Sequence, residues 1–555
     1  MTGKTGAVLL DTRSIQKYVF GCNKLKTNTG ASYLVADIFD GTMTDVLKEF
    51  NFANPVTEWK DKQELKMQSD SSVDCEIAYI GGGNMLLLVR KGDTEEEILQ
   101  QCRSIVSAWT EKLLVKAPGL KTGAAVGMMD LDKEKFKESL DDMYRQLKAN
   151  QNNIIPETDL PYTGLTLECD YTGRTADVYS PEEGRWVAAE VEAKIRAFEE
   201  ASQAMHDKYS DVLGSEYDFC SDIEKIGFKD GESYISIIHI DGNNMGVKFS
   251  ACRDMQERKN LSVKVADMVE KSFRHLTKSI INEYESYDEV LDMKALSRGS
   301  RKILPIRPII IGGDDITFIC PGRMGLVYAD RFIRYINSEK LLDDDFYGYL
   351  CKEKKKNGKE ISQKLSCCAG VAIVPAKYPF FRAYELAEQL CSAAKQKSRE
   401  DDGCYLDYAI LHGEISAELE QLRRQQYEAP EGGLHYGPYN VTDETAGGHY
   451  LHKLFALAAK LGSKNIAFTE IEEKYGNKKM PANKVKELRD VLHEDMHSIE
   501  IFLENCGEMR DLLEHMTGKE HVSAEDFWEK DGEDIRTRFM DAIEIMDFMY
   551  PAKEA

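Results

Sequence analysis

The chain has 555 residues, 42% of them hydrophobic, enough to bury several cores in about three or four domains. Its formal net charge of −24 opposes broad contact with a phosphate backbone, so tight RNA binding by this chain alone is not expected without a local basic patch. No apolar run approaches the roughly 20 residues that span a bilayer, the start lacks a signal-peptide core, and 13 cysteines without paired spacing suit a reducing cytoplasm.

In chain order, Ala7-Val-Leu-Leu reads as a strand running into Asp11, with a helix after it. Ile77-Ala-Tyr-Ile runs into Gly81-Gly-Gly-Asn84, and Met85 to Val89 returns as a second strand. A helix is predicted from about Thr94 to Lys116, a third strand at Thr122-Gly-Ala-Ala-Val, and a helical segment reaching Lys148. Residues 1–150 therefore read as one α/β domain. Residues 151–163 form a Pro- and Asn-containing linker. Glu182 to Leu213 reads as one long charged amphipathic helix, with Trp186, Val191 and Ile195 toward a core, inside a mostly helical connecting domain of residues 151–229.

The domain at residues 230–412 carries the strongest signal. Tyr234-Ile-Ser-Ile-Ile-His-Ile-Asp241 is an apolar strand ending in an acid, followed by the small-residue loop Gly242-Asn-Asn-Met-Gly246. Val263 to Glu283 is helical by pattern. Ile309-Ile-Ile-Gly-Gly-Asp-Asp-Ile-Thr-Phe-Ile319 reads as a hairpin with Asp314 and Asp315 at its tip, because the β-branched flanks favour strands and the glycines permit a tight turn. Gly-Gly-Asp-Asp alone is also the composition of an ordinary solvated turn. A second acid ending a separate strand favours chemistry, since nucleotidyl transfer needs carboxylates that converge on metal and free backbone N–H groups for phosphate. Residues 413–555 read as a helical C-terminal domain with breaks near Gly476, Gly507 and Gly518, and with Met540 and Ile545 in a core or partner interface.

The two α/β domains repeat one another. Asp11 precedes Gly81 by 70 positions, and Asp241 precedes Gly312 by 71. Gly123 and Gly370 each stand 25 positions before a lysine, Lys148 and Lys395. The intervals from Gly81 to Gly123 and from Gly312 to Gly370 differ, 42 against 58, and an inserted loop at Cys351 to Glu360 accounts for the excess. That lysine-rich loop lacks interleaved aromatics and reads as solvated rather than as a nucleic-acid groove. The first copy carries Gly83-Asn84 where the second carries Asp314-Asp315, so the second is expected to be catalytic. For the first copy two readings stand: it touches nucleotide through Asn84 or Ser32, or it only buries its partner's face.

Strand-Asp-loop, a Gly-Gly-Asp-Asp hairpin, a Cys-Ala-Gly strand and a helix carrying Ala-Lys resemble the palm of GGDEF-type nucleotide cyclases. The paired arrangement, with Asp11-Thr-Arg-Ser-Ile-Gln-Lys-Tyr-Val-Phe, Gly30-Ala-Ser-Tyr-Leu, Asp241-Gly-Asn-Asn-Met-Gly and Gly312-Gly-Asp-Asp315, resembles the large polymerase-cyclase subunit of type III CRISPR effector complexes. It spans roughly residues 5–412, with an echo at Gly437-Pro-Tyr-Asn-Val. The resemblance implies two ferredoxin-like palm domains, a degenerate first and a catalytic second, joined and followed by helical domains. It also implies ATP as substrate, cyclic oligoadenylate as product, antiviral signalling as the role, and other effector subunits with guide RNA as partners.

On the residues, Asp241, Asp314 and Asp315 would hold two Mg²⁺ or Mn²⁺ ions. Gly242, Asn243, Asn244, Met245 and Gly246 would cradle the triphosphate, with Gly312 and Gly313 beside them. Lys395 would meet a phosphate as a point charge or, alternatively, face solvent. Two departures from the family pattern matter. The only His-Asp dipeptide, His206-Asp207, has no companion histidine motif, so no HD nuclease domain is expected. Cys169-Asp-Tyr-Thr172 keeps one cysteine of an expected pair, and four soft ligands cannot be assembled, so no zinc is expected. The competing readings are a non-catalytic nucleotide-binding scaffold and a diguanylate cyclase-like enzyme, the latter weakened because both palms share one chain.

Overall fold

In a computed structural model the described residues are 4–22, 24–60, 64–132, 135–152, 162–221, 234–289, 291, 293, 301–353, 361–413, 418–462 and 480–549. The first sheet is built from β1 (Lys4–Arg13), β2 (Pro55–Val56), β3 (Cys75–Gly81), β4 (Asn84–Val89) and β5 (Lys121–Asp130), in the order β2-β3-β4-β1-β5. Around it lie α1 (Ile15–Phe20), α2 (Leu25–Asp37), α3 (Gly41–Lys48), α4 (Lys66–Ser69), α5 (Glu95–Lys116) and α6 (Phe136–Gln151). Thr94 caps α5 through its hydroxyl, which accepts from the Glu97 N–H at 3.2 Å, and three glutamates in the first turn complement the helix dipole. Central strands β1 and β4 are apolar on both faces; Val8, Leu9, Leu10, Leu86, Leu87 and Leu88 are all fully buried.

The connecting segment departs from the single long helix expected between Glu182 and Leu213. Its first residues form a hairpin of β6 (Val178–Ser180) and β7 (Arg185–Val187); α7 (Ala189–Lys208) and α8 (Ser210–Leu213) follow. Val191 and Ile195 are buried as expected, but Trp186 is 52% exposed and pairs edge-on with Tyr179 across the hairpin. Gly184 at φ +66 makes the turn, and a turn there resets the side-chain period from 3.6 to 2.

The second sheet is larger. After β8 (Tyr217–Phe219) come β9 (Tyr234–Gly242), α9 (Met245–Ala251), α10 (Met255–Asn282), β10 (Lys302–Leu304), β11 (Arg307–Gly312), β12 (Asp315–Pro321), α11 (Gly325–Ile336), α12 (Asp344–Glu353), β13 (Cys367–Pro375), α13 (Phe380–Ser398) and β14 (Tyr405–Ile410). The order is β11-β12-β9-β13-β14, extended at its edge by the short strand Tyr439–Asn440; β13 and β14 are parallel and the other pairs antiparallel. Both sheets therefore have the ferredoxin-like palm arrangement, with β9 and β1 as matching central strands. Gly370 is required by packing: a Cβ there would lie 1.9 Å from the Ala387 carbonyl oxygen, so α13 seats directly on β13.

Helix α10 bridges the palms, packing on β11 of the second and β3 of the first. At that junction the fully buried Lys259 donates to fully buried Glu76 at 2.9 Å, and Glu76 also accepts from the Lys66 and Met67 N–H groups. The C-terminal region is not purely helical. Helices Ala482–Val491, Met496–Glu504, Gly507–Thr517 and Phe539–Ile545 accompany a four-stranded sheet that includes Glu529–Asp531 and Asp534–Arg536. Met540 and Ile545 are buried and join the main core, and helices begin or end at Gly507 and Gly518. The break at Gly476 and the lysine-rich run 354–360 lie outside the described residues. Among the described residues no helix is long and apolar enough to cross a membrane.

Candidate active site between the palms

Strand register decides which acids meet. In the second palm Asp241, near the end of β9, is paired with Asp315 at the start of β12 on one side and with Cys368 of β13 on the other. Gly312 and Asp315 close the hairpin, and Gly313 takes φ +61, a conformation that favours glycine. Lys395, late in α13, donates to Asp241 Oδ2 and to the Gly242 carbonyl at 3.3 Å.

The electrostatics are those of crowded like charges. Burial and then the charge of Asp241 push Asp314 up to about 6, and burial with Asp241 and Asp314 pushes Asp315 well above the carboxylate range. Asp315 Oδ1 is buried and forms no hydrogen bond, with Nδ1 of His239 3.4 Å away, and His239 is held down to about 4 by burial, hence neutral at pH 7. Burial works against the charge of Lys395, but Asp241 more than offsets it and holds the lysine above its ordinary range. Among the described residues no three His, Cys, Asp or Glu side chains stand preassembled as a ligand cluster. An orphan carboxylate oxygen beside two further acids is nonetheless a hard-oxygen donor set, and it fits Mg²⁺ or Mn²⁺.

The loop after Asp241 is held from behind. Asn243 Nδ2 donates to Ser398 Oγ at 2.9 Å and to the Gly403 carbonyl at 3.1 Å. Asn244, in the left-handed region at φ 55, donates to Asp402 Oδ1 at 2.6 Å. Asp402 also accepts from Ser366 Oγ at 3.0 Å and the Ser362 N–H at 2.6 Å. The Gly242 and Asn243 N–H groups are already spent on the carbonyls of Asp314, 3.1 Å, and Ser366, 2.8 Å. These two asparagines thus anchor the loop through their side chains, leaving Met245 and Gly246 on the open side. Asp402 and Ser398 escaped the sequence reading; Ser398-Arg-Glu-Asp-Asp-Gly403 after a helix was the available signal, a turn-rich segment.

The first palm repeats the register with different side chains. Asp11 is paired with Asn84 of β4 and with Gly123 of β5, so Asn84 stands where Asp315 stands and Gly83 where Asp314 stands. Gln151 Nε2 donates to Asp11 Oδ2 at 2.6 Å, in the place Lys395 takes beside Asp241. Two sequence equivalences shift accordingly. The register partner matching Gly123 is Cys368, two residues before Gly370, and the residue matching Lys395 is Gln151 rather than Lys148. The strand shift is two and the helix shift three, and each keeps a side chain on its face of its own element, which is why spacing alone did not reveal them.

The two hairpin tips touch: a Cβ at Gly313 would lie 3.1 Å from the Gly82 nitrogen. Beside them is a cavity of about 710 Å³, lined from the first palm by Tyr79, Gly81, Gly82, Asn84 and Tyr144, and from the second by Met245, Gly246, Phe249, Arg258, Gly313 and Asp314. It lies between α6 and α9. The matching space between α1 and α13 is closed instead, with Phe20 stacked on Tyr384 at 3.8 Å and Phe380 beside it at 5.6 Å. Of the residues named from sequence, Asn84, Met245, Gly246, Gly313 and Asp314 share the cavity. Asp241, Gly242, Asp315 and Lys395 cluster behind it, Asn243 and Asn244 support the loop, and Gly312 is exposed at the hairpin. Ser32 lies on α2, which packs on α7, and does not line the cavity.

The family model for the Cas10/Cmr2 second palm domain matches residues 234–403. No curated protein matches the chain. Similar solved structures include a Csm1–Csm4 cassette in complex with pppApApA, at 10% identity over 98% of this chain and 70% of that chain, with TM-score 0.49. A Csm1–Csm4 cassette in complex with cA3 has 11% identity over 99% and 70%, with TM-score 0.45. Csm1 in T.onnurineus has 12% identity over 99% and 70%, with TM-score 0.49.

Proposed function

Residues 234–403 are a second palm of the Cas10/Cmr2 kind, and on that premise we propose that the chain is a metal-dependent nucleotidyltransferase that joins nucleoside triphosphates into a cyclic oligonucleotide. The observation that carries this reading is the register pairing of Asp241 with Asp315, with Lys395 between α13 and the acids, beside a cavity shared by two palms. A ribose hydroxyl of one nucleotide attacks the α-phosphorus of another; the new P–O bond forms as the α–β bond breaks, pyrophosphate leaves and the hydroxyl proton passes to water. Asp241, Asp314 and Asp315 would hold divalent cations, whose Lewis acidity would act on the phosphates and the attacking hydroxyl. Lys395 is placed to exchange Asp241 for a phosphate oxygen, and the Asn243, Asn244 and Asp402 anchors keep the loop still while it does so.

ATP as substrate, cyclic oligoadenylate as product, an antiviral role and assembly with other CRISPR effector subunits and guide RNA follow from the family resemblance. Base choice rests on that resemblance alone. The test is to incubate the purified protein with each radiolabelled NTP and Mg²⁺ or Mn²⁺, resolving products by chromatography and mass beside an Asp314→Ala/Asp315→Ala control. A cyclic or oligomeric product lost in the control supports the enzyme and names its nucleotide. Metal-dependent NTP binding without turnover, even with partner subunits added, would replace it with a nucleotide-binding scaffold.

A further inference from the structure

At the seam between the second palm and the C-terminal region, one imidazole stands between two buried aspartates. His435 Nε2 lies 2.9 Å from Asp407 Oδ1 on β14, and Nδ1 lies 2.7 Å from Asp541 Oδ1 on the helix Phe539–Ile545. All three residues are buried, Asp541 completely. Each carboxylate is already an acceptor elsewhere. Asp407 Oδ1 accepts from an Arg423 terminal nitrogen at 3.0 Å and from the Tyr408 N–H at 2.9 Å, and Asp541 Oδ2 accepts from the Tyr436 N–H at 2.8 Å and from the Tyr439 hydroxyl.

A neutral imidazole has one donor and one acceptor nitrogen. It would turn a lone pair on one of these carboxylates, whereas an imidazolium donates to both. Asp407 and Asp541 are then matched by two cations, Arg423 and His435, which is the condition for keeping acids in a dry interior. Burial and Arg423 work against the charge on His435, but the two aspartates outweigh them and hold it above its ordinary range. The other ionisable groups around the ring leave that balance intact. Tyr408 on β14 and the loop residues Tyr427, Tyr436 and Tyr439 are phenols pushed up by burial. Glu544, one turn after Asp541, is raised to about 7 by burial and by Asp541, and accepts from the Tyr427 hydroxyl at 2.8 Å. Farther out, Arg538 faces Tyr436 and Tyr439, and Arg489 faces Glu544.

We propose that His435 is a proton-operated clasp: its second ring proton ties the helix Phe539–Ile545 to β14, and loss of that proton as pH rises releases the helix. β14 pairs with β13, whose Cys368 is paired with Asp241, so the clasp stands two strands from the acids of the second palm. It operates whether or not the palms transfer nucleotides. A histidine raised in the docked state stabilises docking fully below its free value of about 6.5 and loses that effect as pH rises through its docked value. Glu544 acts in the same direction, but between its ordinary 4.5 and about 7, so above pH 7 the change belongs to His435.

The test is hydrogen–deuterium exchange of the full chain from pH 7 to 9, read by mass spectrometry on peptides covering 539–545 and corrected for the intrinsic pH dependence of exchange. Protection in the wild type should fall by up to about tenfold per pH unit until His435 has titrated. Glu544→Gln should fall as the wild type does, and His435→Gln should be flat. Constant protection in the wild type from pH 7 upward would overturn the proposal, as would a slope that survives in His435→Gln. Because that variant strands one aspartate and can free the helix outright, nitrogen NMR of the wild type with ring-labelled histidine supplies a second readout. Of the 11 histidines, one imidazole should keep both ring protons beyond the ordinary range and lose one in step with the protection of 539–545; no imidazole titrating above that range would overturn the proposal as well.

Discussion

In the second palm Asp241 faces Asp315 and holds Lys395; at the same register in the first palm, Asp11 faces Asn84 and accepts from Gln151. The backbones carry the same central strand, hairpin and following helix, so the fold does not require the charges. At the helix the replacement of Lys by Gln keeps a hydrogen bond to the central aspartate while removing a charge; across the hairpin Asn84 removes the charge, and its Oδ1 is buried without a partner, as Asp315 Oδ1 is. The difference teaches that the pairing geometry is a structural property of the palm, whereas the proposed metal and phosphate chemistry would be added to it by a few ionisable side chains. Around those sites the helices diverge too, for α6 and α9 leave a cavity and α1 and α13 close theirs with Phe20 on Tyr384.

The largest expected effect comes from making the second palm resemble the first. Asp315→Asn together with Lys395→Gln should reduce product formation by at least about 10²–10³-fold, while Asp11→Asn should change it only severalfold; comparable losses from both would end the assignment of chemistry to one palm. Separating the palms comes next. Lys259→Met leaves Glu76 as a buried unpaired acid and should cost about 3–5 kcal/mol, read as a lowered denaturation midpoint; a shift typical of a surface substitution would show that the Lys259–Glu76 pair does not couple the two sheets.

A smaller effect is expected behind the loop. Asp402→Ala leaves the amide of Asn244 and the hydroxyl of Ser366 without their acceptor, about 1–3 kcal/mol, and should raise KM for nucleotide more than it lowers kcat. The smallest is a pH dependence centred on Asp314 of the second palm. Asp314, raised to about 6 mainly by burial, contributes stability in its protonated form, which is fully present below pH 4 and lost as pH rises through 6. Cation binding has the opposite sign, since the bound form needs the carboxylate. Mn²⁺ affinity, followed by electron paramagnetic resonance, should therefore fall as pH drops below about 6; a flat profile between pH 5 and 8 would remove Asp314 from the metal site.

Much of this was visible before any coordinates. Apolar strands ending in acids, the Gly-Gly turn and the helix from about Thr94 to Lys116 are local signals, and each is where the pattern put it. Other readings failed for identifiable reasons. Reading one charged amphipathic helix from Glu182 to Leu213 places Trp186 toward a core, but Gly184 supports a hairpin turn. Lys148 was matched to Lys395 by counting, and the count missed a register shift that puts Gln151 beside Asp11. Asn243 and Asn244 carry the residue type of a phosphate loop, yet their amides are consumed by Ser398, Gly403 and Asp402.

By itself the sequence determined the duplication, the loss of the acid pair in one copy and the identity of the three acids in the other, because these depend on residue type and on spacing within short elements. Tertiary structure alone decided that Arg258 forms no ion pair among the described residues while lining the cavity, that Asp402 lies behind the loop 158 positions upstream, and that one inter-helix space is open while its counterpart is filled. Those are contacts between distant segments, set by how α10 and α13 lie on their sheets, and no local pattern encodes them.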